Sequence, residues 1–189
     1  MTKASIRKSY TAQRQTLTTE AMHEMLTPML HQFLSLSLPA PAMYMSYRSM
    51  DNRHEVPVHY FESVLSDEVA GIQFCYPRIQ MTDGSMDAIA DDDAVQWEET
   101  VFGLEEPVAG NIVSPENIDV VLVPLLAFDT RGFRVGYGKG FYDRFLTRCK
   151  KDVLTIGLSW FPPVDGIEDI HANDVPLKYC ITPQRIYAF

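Results

Sequence analysis

The hydrophobic pattern along the 189 residues changes period several times, and each change marks an element. Ile6, Tyr10 and Leu17 fall on one stripe of a helix predicted over residues 3–17. Thr18 or Thr19 can cap a second helix, with Glu20 in its first turn and Met22, Met25, Leu26, Met29, Leu30 and Phe33 on its apolar side. Pro39 and Pro41 end that pattern, and residues 42–47, compact and aromatic, read as a strand. A polar loop then enters another helix through Pro57, and residues 71–76 read as the next strand. The stretch after it reads as loop, with a turn at Asp83-Gly84 and a solvated acidic run at Asp91, Asp92 and Asp93. Val120, Val121, Leu122 and Val123 form an unbroken apolar run of the kind found in strands buried on both faces. Beyond a turn at residues 129–132, Phe141, Phe145 and Leu146 return to helical spacing, and residues 153–159 and 179–182 read as strands. Strands alternating with helices predict one α/β domain over residues 1–189, with a mostly parallel central sheet flanked by helices.

Composition narrows the classes. Hydrophobic residues make up 46% of the chain, enough for a folded core. The longest apolar run, residues 120–128, is broken by Pro124 and falls well short of the roughly 20 residues of a membrane helix. The first residues lack the apolar centre of a secretory signal, so a cytoplasmic protein is expected. A net charge of −9 argues against a broad nucleic-acid surface, but a small anion can still bind where basic side chains converge. Cys75, Cys149 and Cys180 stand in no CxxC pair and are expected to be small core residues.

One stretch carries candidate chemistry. Gly136, Gly138 and Gly140 alternate between the buried strand and the helix that begins near Phe141. Helix N-termini present N–H groups with no internal partner, and glycine lets an anion come close to main chain. Arg134, Lys139 and Arg144 surround this loop. The spacing fits neither a phosphate-binding loop ending in Gly-Lys-Ser/Thr nor a dinucleotide fingerprint. Lys3, Arg7 and Arg14, at i, i+4 and i+11, share a helix face. Taken alone, a tight turn and a solvated helix face account for the two features better than an anion site does.

Pro124, Ala127-Phe128-Asp129, Gly132, Arg134, Gly136, Gly138, Gly140 and Phe141-Tyr142-Asp143-Arg144 together resemble the signature of the 5-formyltetrahydrofolate cyclo-ligase family. The resemblance implies a ligase that closes 5-formyltetrahydrofolate to 5,10-methenyltetrahydrofolate, using ATP and Mg2+ and releasing ADP and phosphate. It further implies ATP contacts at Lys3, Arg7, Arg134, Gly136, Gly138, Lys139, Gly140 and Tyr142, with Arg134, Lys139 and Tyr142 taking part in catalysis. Folate contacts fall on Met50, Glu55, Tyr137 and Phe141, and magnesium ligands on Asp143 and Asp174; Arg14 is a weaker member of the basic set. Phe102-Gly103-Leu104-Glu105-Glu106-Pro107 is similar to a family segment that leads toward the central strand. The chain departs from the family pattern at Leu125, commonly glycine, at Pro57-Val58, where a threonine is frequent, and in lacking a glutamine within SWFPPVDGIED. Small-molecule substrates, no nucleic acid, no membrane and a monomer are expected. Two rivals share such a frame: a sugar-phosphate isomerase-like enzyme, whose loop would bind substrate phosphate without ATP turnover, and a non-catalytic nucleotide- or folate-binding paralogue.

Overall fold

The computed structural model describes residues 1–80, 82–99 and 105–189. Its elements run α1 (Lys3–Gln15), α2 (Thr19–Ser35), β1 (Ala42–Met45), α3 (His59–Glu68), β2 (Ile72–Ile79), β3 (Met86–Ala90), β4 (Gln96–Glu99), β5 (Glu105–Ala109) and β6 (Ile112–Val113). They continue as β7 (Val120–Val123), β8 (Ala127–Phe128), β9 (Arg134–Val135), α4 (Phe141–Leu146), β10 (Leu154–Leu158), β11 (Tyr179–Ile181) and β12 (Ile186–Ala188). One sheet has the order β12-β11-β10-β7-β1-β2-β3-β6. The strands from β11 to β2 are parallel, β12 pairs antiparallel with β11 at one side, and at the other β3 pairs antiparallel with both β2 and β6. The mostly parallel α/β sheet is therefore as the alternation of patterns predicts.

The run in β7 shows why it needs no polar alternation. Val120 and Leu122 join the core under α2 and α3, whereas Val121 and Val123 join the opposite core under Phe145 and Leu146 of α4. Both faces are thus covered, as parallel sheets require. α2 begins where its cap predicts, the Thr18 hydroxyl accepting from the Ala21 N–H. α1 stops at Gln15, two residues before Leu17, and lies on the β8–β9 hairpin, with Ile6 packed against Ala127, Val135 and Ile167. Strands β3, β4, β5, β6 and β12 fall in stretches that the sequence pattern did not mark as strand. Phe102, Gly103 and Leu104 of the family-like segment lie outside the described residues; Glu105 to Pro107 open β5.

Adjacency of β1 and β7 sets up the site. The two strands are parallel neighbours, so the segments that follow them leave the same edge of the sheet. One segment carries Met50 and Glu55, and the other carries Pro124 and the glycine loop.

Candidate active site

The glycine loop and α1 meet. Arg7 donates from Nε to the Gly136 carbonyl at 2.9 Å. Its guanidinium also lies over Gly138, where a Cβ would come within 3.1 Å of Nη2. Gly138 and Gly140 have φ of +93° and +69°, which favour glycine, so this loop requires two of its glycines for conformation and one for close approach. Gly140 caps the short helix α4, and Lys139 is exposed at the loop's tip.

Arg134 sits inside the protein behind the loop. It is buried, donates to the Val175 carbonyl, and pairs with Asp143 at 2.9 Å between Nη2 and Oδ1. The β8–β9 pairing turns it inward, and burial lowers its pKa while Asp143 opposes the shift. The residue that the resemblance implies as an ATP contact thus also holds a carboxylate in place. Asp143 Oδ1 also accepts from the Val175 N–H at 3.1 Å, which brings the neighbouring Asp174 alongside. Asp174 Oδ2 pairs with Lys3 Nζ and accepts from the His171 N–H at 2.8 Å. Burial works to raise the Asp174 carboxyl, and those two bonds together carry it below the ordinary value.

The two carboxylates suit a small hard cation. Among the described residues, Asp143 Oδ2 and Asp174 Oδ1 have no hydrogen-bond partner, and no group of three or more His, Cys, Asp or Glu side chains is gathered for a metal. Magnesium characteristically takes one or two carboxylates and completes its shell with water and phosphate oxygens.

Beside the loop lies a cleft of about 140 Å³. Tyr137, Tyr142, Met50, Glu55, Tyr47 and Pro124 line it, together with Glu106, Pro107 and Met86. Glu55 is buried, accepting at Oε2 from the Met50 N–H at 2.8 Å and at Oε1 from the Tyr137 hydroxyl. Burial first, and the Glu55 charge second, push the Tyr137 hydroxyl well above its ordinary pKa, so it stays a donor at neutral pH. Burial raises Glu106 as well. Farther out, the Arg48 guanidinium is held between Tyr76 and Trp97, 4.3 and 4.5 Å from their ring centroids. Tyr137 belongs to both halves of the site, its backbone in the glycine loop and its hydroxyl on the carboxylate in the cleft.

Comparison with known proteins matches the chain to one family. The sequence model of the 5-formyltetrahydrofolate cyclo-ligase family covers residues 1–161, which include the glycine loop, Glu55 and Asp143. The chain belongs to the 5-formyltetrahydrofolate cyclo-ligase family. A cyclo-ligase from Mycoplasma genitalium is 44% identical over 50 residues, 26% of this chain and 30% of that protein. One from Haemophilus influenzae is 38% identical over 80 residues, 40% of this chain and 42% of that protein. The matched stretches thus span less than half the length of these curated relatives. A solved 5,10-methenyltetrahydrofolate synthetase from Mycoplasma pneumoniae is 26% identical, with a TM-score of 0.73 over 96% of this chain and 98% of that one.

The site gathers most of the residues that the cyclo-ligase resemblance implies. Lys3, Arg7, Gly136, Gly138, Asp143 and Asp174 converge on the loop, and Met50, Glu55, Tyr137 and Tyr142 line the cleft. Phe141 does neither. Its ring packs under the Arg144 guanidinium at 5.3 Å and toward Gly84, away from the cleft wall that Tyr142 forms. Arg144 bonds the Gly84 and Lys139 carbonyls, bracing the loop from behind. Sequence reasoning missed Tyr47, Arg48, Tyr76 and Glu106 on the cleft; Arg14, only a weaker member of the basic set, lies against Glu55.

Departures from the family pattern have local compensations. Ser49 accepts from the Val58 N–H at 2.9 Å and donates to the Val56 carbonyl, holding the entry to α3 without a threonine there. Leu125 lies on Gly157 of β10, where a Cβ would be 2.4 Å from Leu125 Cδ2. A glycine in the neighbouring strand makes room for the leucine that replaces one after Pro124.

Proposed function

We propose that this chain closes 5-formyltetrahydrofolate to 5,10-methenyltetrahydrofolate with ATP as co-substrate and Mg2+ as the metal. The observation that carries the reading is Tyr137, which joins a backbone loop suited to phosphate to a buried carboxylate suited to a pterin. The flat bicyclic ring of the substrate enters the cleft, and the rest of the substrate extends along its mouth. Glu55 accepts from the amino and ring N–H groups of the pterin, as charge-assisted bonds favour. Tyr142 and Met50 flank the ring.

A formamide carbon is a poor electrophile because its oxygen would leave as hydroxide. Passing the γ-phosphoryl group to the formyl oxygen makes that oxygen part of a phosphate leaving group. N10 adds to the carbon, the C–O bond breaks, and the N10 proton leaves with the departing phosphate. Ring closure is intramolecular, and well-oriented cases reach effective molarities on the order of 10⁵ to 10⁸ M. The protein therefore has chiefly to align formyl oxygen with γ-phosphorus and to balance charge on the transferring group. Arg7 and the N–H groups around Gly138 and Gly140 cradle phosphate, and Lys139 is free to reach it from the exposed tip. Arg134 and the Val175 N–H hold Asp143, and Lys3 holds Asp174. A magnesium ion held by those carboxylates would supply charge neutralisation at the phosphate oxygens.

The small substrates require no nucleic-acid or membrane surface, and no helix among the described residues is long and apolar enough to cross a membrane. A monomer working in the cytoplasm fits this reading and is tested by sedimentation and cell fractionation. The activity itself is tested by mixing protein, 5-formyltetrahydrofolate, ATP and Mg2+ and following both methenyltetrahydrofolate absorbance and ADP. Production of the two together supports the reading, and absence of either defeats it.

A further inference from the structure

Helix α1 presents Lys3, Arg7 and Arg14 on one face, and eleven residues at 1.5 Å each separate the first from the last by roughly 16 Å. That span takes Arg14 out of the phosphate region and into the wall behind the cleft. Its side chain is buried, at 2% exposure, as is Glu55 at 7%. Arg14 Nη2 donates to the Leu125 carbonyl, and Nη1 lies 3.5 Å from the Tyr137 hydroxyl and 4.0 Å from Glu55 Oε1. The Tyr137 hydroxyl in turn donates to the same Glu55 oxygen. His54 Nδ1 sits 2.9 Å from the Arg14 carbonyl, so main chain and side chain of Arg14 both grip the Glu55 segment.

We propose that Arg14 is a positioning residue for the substrate, balancing the charge of the Glu55 carboxylate and keeping it turned into the cleft through Tyr137. The proposal rests on the reading of Glu55 as the pterin contact. Other groups that face Glu55 do not replace this charge. Tyr137 from the glycine loop, Tyr142 from α4 and Tyr47 beyond β1 are phenols that burial keeps protonated. Arg53 is exposed and stacks 4.8 Å over the Tyr137 ring, and His54 is engaged with the Arg14 carbonyl. A buried carboxylate stripped of its counter-charge takes up a proton rather than remain an unpaired ion. Protonated, it would offer the pterin one acceptor fewer and a misplaced donor.

The test is folate affinity against pH for the parent, Arg14→Met and Arg14→Lys, with ATP affinity measured beside it. An opposite charge at this distance is worth about 1–3 pH units to a carboxylate, so Arg14→Met should lose folate affinity between pH 8 and pH 6 relative to the parent, by up to about tenfold. Arg14→Lys should restore flat behaviour, and ATP affinity should stay at the parent value in both. A loss equal at every pH, or shared by ATP, would make Arg14 a structural residue and overturn the proposal. Glu55→Gln has no carboxylate to titrate, so adding Arg14→Met to it must introduce no pH dependence; if it does, His54 is the titrating group and the proposal fails. The carbon-13 signal of the Glu55 carboxyl, assigned by its loss in Glu55→Gln, reports protonation without any ligand. It decides the Arg14–Glu55 coupling even if 5-formyltetrahydrofolate is not turned over, and Arg14→Gln serves if Arg14→Met does not fold.

Discussion

Placing an alanine at Gly157 should damage the protein in a way that trimming Leu125 repairs. The added Cβ would lie 2.4 Å from Leu125 Cδ2, 2.8 Å from Leu177 Cδ1 and 3.3 Å from Cys180 Sγ, all in the core between β10 and the segment that follows β7. Overpacking of this kind costs about 1–3 kcal/mol, since side chains must leave their rotamers. For a chain of this size that corresponds to a fall in Tm of roughly 2–12 °C. Leu125→Ala alone removes a fully buried side chain and costs about 2–5 kcal/mol. In Gly157→Ala/Leu125→Ala the new methyl enters the space that Leu125 Cδ2 vacates, so the pair should be more stable than the sum of the single changes by about 1–3 kcal/mol. The assay is a double-mutant cycle by urea unfolding, with constant m-values as the check that the native state is comparable. Because the Leu125 carbonyl receives Arg14, the same cycle should appear in folate KM, with Gly157→Ala raising it and Leu125→Ala relieving it. Additivity within about 0.5 kcal/mol would show that the two residues do not constrain each other, and the account of Leu125 as compensated by Gly157 would be wrong.

Three further outcomes are expected. Gly138→Ala meets a φ of +93° and the Arg7 guanidinium, so ATP KM should rise at least about tenfold with folate KM little changed; equal ATP kinetics would remove this loop from the phosphate site. Glu55→Gln keeps the shape but loses the charge, so folate affinity should fall by roughly 1.5–3 kcal/mol and ATP affinity should hold, as separate calorimetric titrations would show. Asp143→Asn leaves the buried Arg134 with a weaker acceptor, costing stability of roughly 1.5–3 kcal/mol, and should also lower kcat by orders of magnitude with a higher magnesium requirement; a stability loss with unchanged magnesium titration would leave Asp143 only as the partner of Arg134.

Much of the frame was legible because it rests on local rules. The Thr18 cap, the α2 stripe and the two-faced run of β7 are each written in a few consecutive residues. Strands β4 and β5 were not legible, since a ribbon reading QWEE against EEPVA is largely exposed and has no clear apolar alternation. β3 was hidden by its acidic flanks and β12 by its length. In the candidate site, the glycine loop was legible from its spacing, but the cleft was not. Glu55 and Tyr137 lie 82 positions apart, and Arg14 and Leu125 lie 111 apart, so only the sheet order brings them together. Helical periodicity correctly gave Lys3, Arg7 and Arg14 a common face, but it carries no information on how far along that face each ligand extends. The burial of Arg134 was not legible for a related reason: charge marks a residue as polar, not as exposed, and the β8–β9 pairing buries this one against Asp143.

The central claim is that the loop and the cleft act on two substrates in one reaction. Its most direct test is a simultaneous record of methenyltetrahydrofolate absorbance and ADP release from 5-formyltetrahydrofolate, ATP and Mg2+. The account predicts that neither product forms without the other substrate and that they appear in equal amounts. ADP release that ignores 5-formyltetrahydrofolate, or no methenyltetrahydrofolate from folded protein, would contradict it.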